Sequence, residues 1–513
     1  MSLLAGRLGR FGGSAAQWRD AWPGDALAAA CGLLTVFAFA PFGLYPLAVL
    51  GLAGLLWSIG PLSWRRAFRR GFAFGMAEFL AGVYWIYISL HQMGGVSGPV
   101  AILMLLVLVA IMALYSAAAC ALAAAWSPAG WRRALLLFPA AWVFLEWLRG
   151  WFLSGFPWLS LGYSQVDSAL AGFAPYMGGL GVSLAVLLSA GMLLTALEAA
   201  TLRRAIMAAI ALVALWGAGW GLGRLRWTHP AGPRLSVSLM QGDIPQDQKW
   251  EPEAFEPTLK LYRRLTDANW SSKLIVWPEA AVPAYQDEVQ DEFLDPLEAD
   301  ARRHGSDILL GVPTYDSQNY YNSVISLGSS DGTYNKRQLV PFGENFEFLP
   351  QWVKDLLRDA DLPYSSFTPG AREQRLLQAA GYPVGTSICY EDAYPSEIML
   401  ALPQAAFLVN VSNDGWFGDS IALPQHLEIA RMRAIESGRW LLRATNTGLT
   451  AIVDDRGRLV SVAPPDQVYV LKGEIQPLAG ATPVTHWGDV PVALLGLLTV
   501  LGFAWRRRRR LPA

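Results

Sequence analysis

Apolar residues fall into two regimes along this chain. Up to about residue 228 they form long runs with few charges, whereas between 233 and 483 they form short segments with strand or helix period. A helix that crosses a hydrocarbon layer needs about 20 mostly apolar residues. Seven segments of the first regime approach that length, at 25–40, 44–60, 71–90, 98–126, 134–149, 180–199 and 204–222, and an eighth run covers 489–505. The pattern predicts a polytopic α-helical membrane domain of about eight spans. The first run ends in Ala38-Phe39-Ala40, which resembles a signal-peptide cleavage site, but Pro41 follows and would obstruct extended binding in a peptidase. The segment therefore reads as a retained span.

The second regime alternates strand and helix signals. Strands are expected at 235–240, 274–277 and 308–312, with helical segments at 253–268 and 289–304 between them. A hairpin-like stretch follows around Ser330-Asp331-Gly332, then strands at 384–389 and 407–411, an amphipathic helix at 425–437, and a closing hairpin turning at Asp454-Asp455-Arg456-Gly457. This is α/β patterning. The expected domains are 1–228 (transmembrane), 229–485 (catalytic) and 486–513 (a last span with a basic tail).

Composition sharpens this division. The chain of 513 residues is 53% hydrophobic and 16% charged, unlike a soluble enzyme. Its first 228 residues contain no lysine and six acids. Arginines cluster at Arg7, Arg10 and Arg19, at Arg65, Arg66, Arg69 and Arg70, at Arg132 and Arg133, at Arg203 and Arg204, and from Arg506 to Arg510, always on alternate sides of the expected spans. By the positive-inside rule those sides and both termini are cytoplasmic, which puts 150–178 and 233–483 on the far side, the periplasm of a two-membrane bacterium. A net charge of −1 gives no case for nucleic acid. Cys31, Cys120 and Cys389 lie far apart, and the five histidines have no ligand spacing, so neither a disulfide framework nor a metal is expected.

Three polar residues stand out in the α/β segment. Cys389 ends the apolar run of Ser387-Ile388-Cys389-Tyr390-Glu391, so a strand-to-loop junction would present its thiol at a sheet edge, where following backbone N–H groups can bind an oxyanion. Glu279 ends Trp277-Pro278-Glu279 in the same way, and Lys336 precedes Leu339-Val340-Pro341-Phe342-Gly343-Glu344. A thiol that attacks, a carboxylate that moves protons and an ammonium that steadies developing negative charge together make a covalent acyl-transfer site. Taken singly, each has a plainer reading, as a buried small hydrophobe, a loop acid and a surface lysine. Trp416-Phe417 in a glycine- and asparagine-rich turn reads either as a flap that contacts acyl chains or as a loop tucking aromatics into its own core. Glu78 and Glu146 are ionisable residues inside apolar spans and so are functional candidates, with an Arg149 pair as the alternative for Glu146.

The ordered set Glu279, Lys336, Cys389, within WPE, KxxLVPFGE and ICYE, resembles the Glu-Lys-Cys triad of the nitrilase superfamily. With seven spans before it and one after, the whole chain resembles the apolipoprotein N-acyltransferase family of that superfamily. Similar stretches are Gln241-Gly242-Asp243-Ile244-Pro245-Gln246 with Trp250, Ser412 to Gly418, Arg431-Met432-Arg433-Ala434 and Thr445-Asn446-Thr447-Gly448. The resemblance implies a nitrilase-like α-β-β-α sandwich on the periplasmic side of the inner membrane, and no cofactor. It implies that Cys389 takes an acyl chain from a phospholipid, typically phosphatidylethanolamine, as a thioester, and passes it to the α-amino group of an apolipoprotein's diacylglyceryl-cysteine. Glu344 and Glu391 would orient the lysine and tune the thiol, Tyr390 and Trp250 match family positions, and Trp416, Phe417, Glu146 and Arg149 are candidate lipid contacts. An anchored amidase acting on small amides is the competing enzyme class.

Overall fold

Residues 23–341, 343–344 and 367–509 are described by the computed structural model. Phe342 and the arginines Arg7, Arg10, Arg19 and Arg510 lie outside the described residues. The chain forms two compact units, one comprising residues up to Tyr84, Ile102–Leu225 and the segment from Asp489, the other Trp85–Ala101 and Arg226–Gly488.

In the first unit the apolar runs are helical, but their lengths differ from expectation. Four described helices are long and apolar enough to cross a membrane, Gly98–Trp126, Ala169–Leu197, Leu202–Leu222 and Val490–Arg508. The expected span at 71–90 is broken: Trp64–Gly82 ends where Val83 leaves helical geometry (φ −130°), and Trp85–Met93 continues at 53° to it. Counting that bent pair as one span raises the number to five. The first two runs form helices of 14 and 13 residues, Pro23–Val36 and Pro46–Ser58, and the expected span at 134–149 is a π turn, Arg133–Leu137, followed by Phe138–Arg149. Close helix contacts rest on small residues, as expected where no hydrophobic effect drives helices together. Gly71 and Gly75, four apart on one helix face, meet Ala113 and Ala117, and a Cβ at Gly75 would lie 2.7 Å from the Ala113 Cα.

The second unit contains fourteen strands among its described residues: β1 (Thr228–Pro230), β2 (Leu235–Gln241), β3 (Leu274–Val276), β4 (Asp307–Tyr315), β5 (Tyr320–Leu327), β6 (Gly332–Asn335), β7 (Leu377–Ala379), β8 (Tyr382–Ile388), β9 (Phe407–Ser412), β10 (Leu441–Thr445), β11 (Ala451–Val453), β12 (Leu459–Val462), β13 (Tyr469–Ile475) and β14 (Leu478–Gly480). One sheet has the order β13-β2-β3-β4-β5-β6, the other β12-β11-β10-β9-β8-β7, and β1 pairs with β14. Each six-stranded sheet has a parallel trio, β2-β3-β4 or β8-β9-β10, flanked by antiparallel strands. The repeat is one of topology, and no sequence periodicity announces it.

Helices cover the outer faces. Helix Pro252–Asp267 opens with proline in its first turn, where a missing N–H costs nothing, and turns Phe255, Leu259 and Tyr262 onto the first sheet beside Met240, Ile275, Trp277 and Ile308. Trp277 is fully buried, stacks on Tyr262 and donates from its indole N–H to Thr266 Oγ1 at 3.0 Å. Helix Ala422–Ser437 packs Leu427, Ala430 and Ala434 on Leu408, Leu441 and Val453 of the second sheet, and ends at Gly438, whose φ of +60° suits a glycine. The opposite faces, carrying buried Leu239, Val276, Val409 and Leu442, meet between the sheets, where β2 contacts β10. The result is the four-layer α-β-β-α order expected from the sequence.

Candidate active site

The polar residues converge where parallel strands end, the general location of sites in sheets of this kind. Glu279 follows β3, Lys336 follows β6 and Cys389 follows β8, and all three are buried. Past the ends of the parallel strands β2, β3 and β8, the non-glycine residues Asp243, Ala280 and Cys389 take left-handed backbone geometry, with φ of 49°, 46° and 51°. Such geometry costs roughly 1–3 kcal/mol per residue and survives only where the surroundings hold it. Cys389 opens the short helical turn Cys389–Ala393, so its thiol stands at a sharp strand-to-turn junction. Gly311 in β4 makes room for the Glu279 turn, since a Cβ there would lie 2.5 Å from the Pro278 carbonyl oxygen and 2.7 Å from the Glu279 Cα.

The carboxylates and the ammonium form one network. Lys336 Nζ lies 3.3 Å from Glu279 Oε1 and 2.9 Å from Glu344 Oε1. Asn322 on β5 donates to the same two oxygens at 2.7 and 3.0 Å, and the Asn413 backbone N–H donates to Glu279 Oε2 at 2.9 Å. Glu344 Oε2 accepts the Val340 N–H, which closes the loop after Lys336. Glu391 ties the lysine arm to the cysteine turn: it accepts from Tyr334 Oη, from the Arg337 and Gln338 N–H groups, and from the Ile388 N–H.

The electrostatics follow from burial. Desolvation raises the Cys389 thiol well above its usual range, the Glu279 charge adds to that rise, and Lys336 opposes it. The resting sulfur is therefore a protonated thiol beside a carboxylate. Burial works against the Lys336 ammonium, but Glu279 and Glu344 outweigh it and hold lysine charged. Desolvation lifts Glu391 to about 7 despite its backbone donors. Lys249, also buried, donates to the Glu279 carbonyl oxygen at 3.0 Å, and desolvation lowers it to about 8 against the pull of Glu279.

The remaining expected residues divide. Tyr390 is buried edge-on to Tyr394, whereas Trp250 is exposed. The two aromatics of the 412–418 loop part company: Trp416 is 40% exposed, while Phe417 packs edge-on against Trp85 and against His426. Glu146 and Arg149 belong to the other unit, where both line one small cavity with Glu78, Tyr115 and Trp142. There Glu146 accepts from Ser183, Trp142 and the Leu161 N–H, and Arg149 donates to the Phe156 and Trp158 carbonyl oxygens and to Ser160. Sequence reasoning missed Asn322, Asn413, Lys249 and a buried cluster around His426. Only the loop containing Asn413 carried a signal.

A buried Glu-Lys pair and a thiol meet at strand ends of this α-β-β-α sandwich, and residues 236–483, which build it, match the family described as Carbon-nitrogen hydrolase. Residues 31–192 match the Apolipoprotein N-acyltransferase N-terminal domain. An apolipoprotein N-acyltransferase of Methylococcus capsulatus is 47% identical over 94% of this chain and 96% of its own length. Proteins of the same name from Pseudomonas syringae pv. tomato and Nitrosomonas europaea are 41% and 42% identical over 95% and 93% of this chain, and 97% of each of their own lengths. The chain belongs to the apolipoprotein N-acyltransferase family and is a membrane protein.

Proposed function

We propose that this protein transfers a fatty acyl chain from a phospholipid, typically phosphatidylethanolamine, to the N-terminal amine of a diacylglyceryl apolipoprotein by way of a Cys389 thioester. The observation that carries the reading is the Glu279-Lys336-Glu344 network set beside a thiol at a strained strand end. In the first step Glu279 takes the thiol proton as sulfur attacks the ester carbonyl, and Lys336 steadies the oxyanion. The C–O bond breaks, the leaving alkoxide recovers the proton, and a lysophospholipid departs. In the second step the incoming amine attacks the thioester, Glu279 accepts its proton, the C–S bond breaks, and an amide and a free thiol result. The cycle is ping-pong and needs no cofactor.

Supporting roles follow the hydrogen bonds. Glu344 fixes the ammonium, and Glu391 locks the lysine arm to the cysteine turn. Tyr390, next to the nucleophile, shapes the turn, and exposed Trp250 and Trp416 offer apolar surface to lipid chains. Glu146 and Arg149 are proposed as lipid contacts through the cavity they line. We assign 1–228 to a transmembrane domain, 229–485 to a periplasmic catalytic domain, and 486–513 to a last span of an inner-membrane protein, on the alternation of arginine clusters.

Intact-mass spectrometry after exposure to phosphatidylethanolamine tests this. Wild type should gain a hydroxylamine-labile acyl adduct that a diacylglyceryl peptide then clears as triacylated peptide. Cys389→Ala should gain none, and Glu279→Gln should form it about 10²–10⁴-fold more slowly, the usual worth of a positioned base. Normal acylation of Glu279→Gln would remove that residue as the base. A protein that never acylates but hydrolyses small amides would be the anchored amidase instead.

A further inference from the structure

Next to Cys389 lies a second ionic cluster that the acyl-transfer chemistry does not use. Its members come from separate elements: Asp392 from the turn Cys389–Ala393, Asp414 from the foot of the 412–418 loop, His426 from helix Ala422–Ser437, and Arg443 from β10. All four are buried, none more than 1% exposed. His426 Nε2 lies 2.9 Å from Asp392 Oδ1 and 3.3 Å from the Cys389 carbonyl oxygen, and Nδ1 lies 3.1 Å from Asp414 Oδ1. Arg443 donates to Asp392 Oδ2 at 3.1 Å, to the two Asp414 oxygens at 3.1 and 2.9 Å, and to Asn410 Oδ1 at 2.6 Å. Asn410 in turn donates to the Cys389 carbonyl oxygen at 3.2 Å.

Charge balance favours the protonated form of this histidine. Two buried carboxylates face one guanidinium, which leaves an excess negative charge in a low-dielectric site unless the imidazole is protonated. As an imidazolium, His426 donates Nε2–H to Asp392 and the Cys389 carbonyl, and Nδ1–H to Asp414. When neutral, it turns Nδ1 into an acceptor for Arg443 Nη2, 2.8 Å away, and the Asp414 bond is lost. The same ring spans the Cys389 turn and the loop that carries Trp416 and Phe417, and Phe417 lies edge-on to it.

We propose that His426, as an imidazolium, is a positioning residue that holds the strained Cys389 turn and the foot of the 412–418 loop in one arrangement. This rests on Cys389 being the nucleophile. Burial and Arg443 work against the charged ring, but Asp392 and Asp414 outweigh both and hold it up to about 9. Folded above its ordinary 6.5, the group contributes stability that is complete below about 6.5 and is lost as pH rises through about 9. The neighbouring Cys389 thiol feels Glu279, Lys336 and Asp414.

Thermal stability, kcat and KM for the phospholipid, and the rate of Cys389 carbamidomethylation by iodoacetamide, each followed from pH 6 to 10 on the full-length protein, test the assignment. Wild type should lose stability and kcat through an inflection near 9. Asp392→Asn should move that inflection down by about one unit or more, as loss of a neighbouring carboxylate does. His426→Gln should abolish it, lowering kcat about tenfold or more while KM changes less than about twofold, because misplaced geometry costs turnover rather than binding. An inflection unmoved in Asp392→Asn, or an unchanged kcat in His426→Gln, overturns the proposal. Should His426→Gln fail to fold, Asp392→Asn decides alone. Carbamidomethylation needs no lipid: a profile shifted in a protein that never takes up an acyl chain keeps the positioning role and overturns acyl transfer, whereas an unmoved profile in an active transferase does the reverse.

Discussion

At the scale of the residue, burial sets the chemistry. Cys389, Glu279 and Lys336 would each be ordinary on a surface; removed from water, the thiol is raised well above its usual range and the ammonium is held charged, which under the proposed mechanism leaves a proton acceptor and an oxyanion partner ready before substrate arrives. Lys336 is contacted by Glu279 Oε1 and Glu344 Oε1 within 3.3 Å, a pocket cut for a compact ammonium. Lys336→Arg keeps the charge but brings a planar fork that cannot place a donor at the same point. Its kcat should fall about 10²–10³-fold, as when an oxyanion donor is removed, with melting temperature little changed. Turnover near that of wild type would reduce the lysine to diffuse charge.

At the scale of the element, the 412–418 loop joins two tasks that the sequence could not separate. It leaves β9 through Asn413, whose N–H holds Glu279, and through Asp414, which is locked to Arg443; beyond these it puts one aromatic in and one out. Phe417→Ala removes a half-buried ring between Trp85 and His426 and should destabilise the protein by about 2 kcal/mol. Trp416→Ala should leave stability within about 0.5 kcal/mol, as exposed positions do, yet raise KM for the lipid donor. Thermal melts and transfer kinetics on the two single variants separate these effects. Equal melting losses would mean that both rings are core.

At the scale of the whole molecule, one apolar unit and one α/β unit divide the work that membrane attachment and group transfer require. Arginine clusters at both ends and in alternate loops place both termini in the cytoplasm under the proposed topology. A reporter active only in the periplasm, fused after Ala513, should therefore stay silent, and one inserted in the exposed turn at Asp466 should be active. Strong activity at Ala513 would overturn the proposed orientation.

Local periodicity was enough to read β2, β3, β8 and β9, helix Ala422–Ser437 and the hairpin between β11 and β12, because each is built on side chains near in sequence. The order of Glu279, Lys336 and Cys389 made the candidate site legible before any contact was known, since a thiol, a carboxylate and an ammonium are recognisable by type. Span lengths were less legible: hydropathy counts apolar residues, but it does not show where Val83 breaks the helix or that Trp85–Ala101 joins the α/β unit. Only the tertiary structure could bring Asn322 to Glu279, or set Asp392, Asp414, His426 and Arg443 around the Cys389 carbonyl. Those contacts join residues from 12 to 51 positions apart in the buried cluster and 43 apart at Asn322, and no short-range pattern records which strand ends will meet.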